Sequence, residues 1–188
     1  MNILAKFIFC TVIIFFYSNK IFAKSTWILD KKLSEIKFEV PVFLPKKVQG
    51  QFSKFDGYVV VDEENNKALF SVKINSMELN YDKYKELLLS NIFFDEKNFP
   101  IAIMNTKKFI IPENSNTLEV IAELQIKNIV KIIPFMVEIN HLTNNLVQVK
   151  ANLQFSRTAY KLGQESWSST LFLRDTIHLK ANLFLIRE

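Results

Sequence analysis

The chain has 188 residues, 49% of them hydrophobic, with eighteen Phe but only three Gly and five Pro. That suits one domain with its own core and excludes disordered, collagenous and low-complexity chains. The formal net charge of +5 comes from Lys residues scattered among Glu and Asn along the whole length, which argues against nucleic acid as a partner, since nucleic-acid binding gathers basic residues on one face.

Residues 1–23 read as a signal peptide. Lys6 supplies the positive start, Phe7 to Tyr17 form an apolar run, and Ile21-Phe22-Ala23 ends in the small residue that cleavage requires. An uncleaved anchor is the competing reading, but a span needs roughly 20 apolar residues and Ser18-Asn19-Lys20 interrupts this one. The single cysteine, Cys10, sits in mid-run behind Phe9, whereas lipidation takes a Cys at the end of the run. Residues 24–188 are therefore expected as one exported domain, periplasmic or secreted. They hold no thiol, hence no disulfide, Cys nucleophile or thiolate metal site.

From Trp27 onward the dominant period is two. Ile36-Lys37-Phe38-Glu39-Val40 alternates apolar with charged, so Ile36, Phe38 and Val40 share a strand face. A turn at Asp62 to Asn66 precedes alternation over Leu69 to Ile74. Tyr81 to Leu89 breaks the rhythm with helix formers, which predicts one short helix capped by Asn80 or Asp82. Asn98-Phe99-Pro100 restarts the sheet, and Pro112 to Asn116 forms another turn. Leu118 to Ile126 alternates next, then Val147 to Phe155 beyond a turn at Thr143-Asn144-Asn145, then Ile177 to Leu183.

One dry and one wet face per strand is the mark of antiparallel sheets, and about eight such segments predict an all-β sandwich or barrel. The dry faces carry Phe38, Phe52, Phe70, Phe135 and Phe155 together with Val40, Val72, Met104, Leu153 and Leu179. A closed sheet of about eight strands is either just filled by its side chains or just able to hold one small ligand. The pattern leaves both open.

Carriers of catalysis are not visible. His178 alternates with Ile177 and Leu179 and so faces outward, and His141 falls in a turn. No second His, Cys or carboxylate stands at metal spacing, and no metal or cofactor is predicted. Glu63-Glu64 and Asp95-Glu96 read as solvated loop charge rather than an acid/base pair.

Val48-Gln49-Gly50-Gln51-Phe52-Ser53-Lys54-Phe55-Asp56-Gly57-Tyr58-Val59 resembles the V-x-G-x-F-x-x-F-x-G-x-hydrophobic strand of the YceI-like family. The likeness continues through Asn75 to Leu79, Leu88 to Asp95, Phe99-Pro100 with Ala102 and Met104, Phe155 to Gly163, and Leu173 to Ile177. It covers residues 26 to 186 in order. The resemblance implies an eight-stranded antiparallel lipocalin-like barrel with one short helical insertion, exported and not an enzyme. Its lumen would sequester or carry a long apolar lipid, a polyisoprenoid, isoprenoid quinone or similar, lined by the ten dry-face residues above. Transient contact with a membrane is compatible with such cargo. The alternative is a filled barrel acting as an interaction or stress-related module. The family's Arg-Asp helix pair stands here as Tyr84-Lys85, and a common glycine as Asn128. Lys85, Arg157 and Tyr160 are the candidates for a head-group contact. The two glycines of the G-x-F-x-x-F-x-G run are expected at a bulge or bend that helps close the barrel.

Overall fold

The computed structural model describes residues 24–41, 47–62, 65–112, 114–171 and 173–188. The expected signal peptide, and the adjacent acids Glu63-Glu64, lie outside the described residues.

Eleven segments build one antiparallel sheet: β1 Ser25–Leu29, β2 Glu35–Pro41, β3 Lys47–Phe52, β4 Phe55–Val61, β5 Lys67–Lys73, β6 Met77–Leu79, β7 Ile101–Thr106, β8 Thr117–Ile126, β9 Ile129–Thr143, β10 Leu146–Ser156 and β11 Thr176–Arg187. Three of the strands are broken in two. β1 pairs with β4 while β2 pairs with β3, and β4 pairs with β5 while β3 pairs with β6. The long β11 spans the first break, pairing with β2 as far as Asn182 and with β1 from Leu185. With each broken strand counted once, eight strands follow in chain order and the last pairs with the first. The sheet is a closed barrel without a crossover.

The breaks have local causes. Phe52 and Phe55 are both buried, and residues three apart cannot share a face of an unbroken strand. The chain therefore bends between them at Ser53 and Lys54. Those residues bond to the next break, Ser53 N–H to the Ser76 carbonyl and Lys54 N–H to the Ser76 hydroxyl. In the corner between β1 and β2 the Asp30 carboxylate accepts from the N–H groups of Lys32 and Leu33. Contrary to the expectation of a bulge, the ladders run through Gly50 and Gly57 in register. Each glycine instead makes room for a ring on the neighbouring strand: an added β-carbon would lie 2.5 Å from Phe38 Cζ at Gly50 and 2.2 Å from Phe70 Cδ1 at Gly57.

The expected helix is present as a single 3-10 turn, Asp82–Tyr84, running into α1, Lys85–Leu89. Neither Asn80 nor Asp82 caps it. The Asn80 carboxamide is engaged with β3, accepting from Gln49 N–H and donating to the Lys47 carbonyl. β7 pairs with β5 but has no ladder with β6, and residues 80–100 are inserted at that seam. Gly163 and Gln164 N–H donate to the Ile92 carbonyl, and Phe93 packs edge-on against Trp167 at 6.0 Å. The insertion and the 157–175 loop thus cover one end of the barrel as a unit. The end of β4, the start of β5 and the turn between β9 and β10 border the other.

Candidate functional site

Alternation carries one row of side chains into the barrel from every strand but the short β6, and the rows line a cavity of about 1250 Å³. This exceeds the ~300–1,000 Å³ usual for small-molecule pockets. All ten residues expected on the dry faces line it: Phe38, Val40, Phe52, Phe70, Val72, Met104, Phe135, Leu153, Phe155 and Leu179. Phe38 and Phe52 stack tilted at 5.3 Å, and Phe155 meets Tyr160 edge-on at 5.4 Å.

The space exists although the lining is rich in Phe because several inward positions carry alanine. Ala68, Ala102, Ala151 and Ala181 all line the lumen, and Ala151 stands opposite Ala181 in the β10–β11 ladder. The signal was visible in Val149-Lys150-Ala151-Asn152-Leu153, where the alternation places a methyl group between two large apolar residues. Counting aromatic residues alone conceals it.

The three head-group candidates are not gathered at the cavity. Lys85 does not line it, although its neighbours Lys83 and Tyr84 do. Tyr160 is 1% exposed and also outside the lining. Its hydroxyl donates to the Leu124 carbonyl at 3.1 Å, and burial pushes its pKa up to about 12. Arg157 reaches the lining but is 1% exposed, and its guanidinium is spent on the main chain. Nε donates to the Arg174 carbonyl, one terminal nitrogen to Leu162 and Gly163, and the other to Ser169 and Leu173, at 2.8 to 3.3 Å. A guanidinium has five N–H donors, and here five carbonyls take them. Burial pulls its pKa down, with the Asp175 charge acting in the opposite sense. Arg157 is a clasp for the 157–175 loop rather than a ligand contact, and Gly163, at φ +74, leaves its guanidinium the room it needs.

His141 also stands elsewhere than expected. β9 runs on to Thr143, and His141 pairs with Val147 on the inward side and lines one mouth of the cavity. Among the described residues no group of three or more His, Cys, Asp or Glu is placed to hold a metal ion.

The family model described as YceI-like domain matches residues 27–185. No curated protein matches the sequence. Among solved structures, Burkholderia cenocepacia BcnA superposes with a TM-score of 0.76 at 21% identity, covering 83% of this chain and 98% of its own. A polyisoprenoid binding domain from Saccharophagus degradans gives 0.71 at 15% identity, covering 86% and 98%. A Campylobacter jejuni YCEI protein gives 0.65 at 21% identity, covering 74% and 84%.

Proposed function

Because this chain belongs to the YceI-like domain family, we propose that it is an exported binding protein, not an enzyme, that sequesters or carries a long apolar lipid of isoprenoid type in its lumen. The observation that carries the reading is the cavity of about 1250 Å³ with its alanine and phenylalanine walls. Burying apolar surface is worth about 25 cal/mol per Å², so a long hydrocarbon chain gains affinity along its whole length without polar contacts. Enclosure is the mechanism. The ten lining residues named above are the proposed contacts. The fold shared with a polyisoprenoid binding domain supports the chemical class. Export rests on the leader-like residues 1–23, which support a periplasmic or secreted location. A barrel packed solid by its own side chains, acting through its loops, fits this cavity poorly.

Titration with geranylgeraniol, a C20 isoprenoid alcohol added from a concentrated ethanol stock, tests the reading. Trp27 and Trp167 both line the cavity, so their fluorescence reports entry. Saturable quenching with one lipid per chain is expected. No change at lipid concentrations up to solubility would refute it.

A further inference from the structure

The inward rows change chemistry at one mouth. Along β11, Leu183 and Leu185 are followed by Arg187. Along β9, Phe135, Val137 and Ile139 are followed by His141. Beyond β7, Ala102, Met104 and Thr106 are followed by Lys108. All three of these terminal residues line the cavity. The register explains why two of them lie close: His141 pairs with Val147, Val147 with Leu185, and Arg187 is the next inward position on β11. Only β10 separates their strands. Ser25, Asp62 and Asn66 complete the polar lining of this mouth. Asn66 is occupied within the fold, accepting from Asp62 N–H and donating to the Phe109 carbonyl. Among the described residues, Lys108, His141 and Arg187 form no ion pair, and Asp62 is the one carboxylate lining this mouth. The opposite end offers Lys83, but its ammonium lies 5.0 Å over the Tyr84 ring, and Arg157 there has no donor left.

Resting on the lumen reading above, we propose that the cargo is an amphiphile with an anionic head, a phosphate or carboxylate. The head is held at the mouth by Lys108, His141 and Arg187, while the tail runs toward the capped end. A long apolar tail is indifferent to direction, since the lumen between its two ends is lined mainly by apolar side chains. A charged head is not, because leaving it in apolar surroundings without a partner is costly. Lys108 and Arg187 at one mouth, with the His141 imidazole as a further hydrogen-bonding group, therefore fix the cargo's orientation, and charge-assisted hydrogen bonds to the head set its class.

The experiment compares geranylgeranyl phosphate with geranylgeraniol, equal in tail and different in head, by fluorescence titration of the whole protein. The phosphate is expected to bind at least about ten-fold more tightly, the equivalent of one charge-assisted hydrogen bond, with the preference shrinking as salt is raised. In K108Q/H141Q/R187Q the ratio of the two affinities falls to about one. These side chains are exposed, and circular dichroism checks that the variant is folded. Lys83→Gln keeps the ratio. Equal binding of alcohol and phosphate by the unmodified protein overturns the head-group assignment and leaves the lumen reading standing. A preference that survives the triple substitution, or that Lys83→Gln abolishes, overturns it as well. Failure of both lipids to bind removes the lumen reading and this inference together.

Discussion

Ala151 on β10 and Ala181 on β11 stand directly opposite each other in the ladder, and both face the lumen. Large side chains at this pair would close the space that the neighbouring Phe residues leave. Ala151→Trp is expected to fill part of the cavity and to lower lipid affinity by at least about ten-fold. Because the new ring enters existing space rather than a packed core, the melting temperature should hold or rise. Calorimetry alongside the geranylgeraniol titration checks both. Full affinity in a folded Ala151→Trp protein would place the lipid elsewhere.

Arg157 supplies the second prediction. Its five carbonyl acceptors lie in the 162–174 stretch, so Arg157→Met leaves several buried carbonyls unpaired at once. A loss of about 3–5 kcal/mol is expected, since each buried acceptor left unsatisfied costs about 1–3 kcal/mol and several are orphaned together. Arg157→Lys should recover little, because an ammonium donates from a single point and cannot reproduce the planar fork. Hydrogen exchange should show the loosening first between residues 157 and 175. A uniform increase over the whole barrel would contradict the clasp.

At Gly57 a β-carbon would meet the Phe70 ring at 2.2 Å and the Leu69 carbonyl at 2.8 Å. Gly57→Ala should therefore destabilise by about 1–3 kcal/mol, the range for overpacking. Adding Phe70→Leu should restore part of the loss, because it removes the ring but leaves the carbonyl contact. Urea denaturation of the two single variants and the double variant measures the coupling. Strict additivity would mean that the ring is not the reason for the glycine.

Tyr160 predicts a response to alkali. Burial holds the folded pKa at about 12, above the ordinary tyrosine value of about 10. Below pH 10 both folded and unfolded chains keep the proton and stability is constant. Between about pH 10 and 12 the unfolded chain releases the proton while the folded one retains it, so stability falls as pH rises through that window. Tyr160→Phe should flatten this part of the profile while costing about 0.5–1.5 kcal/mol at neutral pH through the lost bond to Leu124. Equal alkaline slopes for the two proteins would rule out Tyr160 as the cause.

The strands legible in the sequence are those with water on one side. Ile36 to Val40, Leu118 to Ile126, Val147 to Phe155 and Ile177 to Leu183 all lie within observed strands, and the lining residues follow from their alternation. β9 was harder to read because it is apolar on both faces, with Ile133, Phe135 and Val137 buried and Val130, Ile132 and Met136 exposed. Its length was obscured for the same reason, which left His141 in an apparent turn. The strand break between Phe52 and Phe55 was written in their three-residue spacing, since both are large and apolar. Arg157 was misread for a different reason. Its partners are backbone carbonyls, which every residue possesses and no side-chain pattern records. The polar mouth emerges only when the ends of β7, β9 and β11 are placed around one opening.

The central claim is that the lumen holds a lipid, and mass spectrometry of an organic extract from the protein purified without detergent tests it most directly. The account predicts a long-chain isoprenoid-type lipid recovered in near-equal amount to the protein, and its loss from the Ala151→Trp variant. Repeated extracts without a stoichiometric lipid, from a protein that also fails to take one up when it is offered, would contradict it.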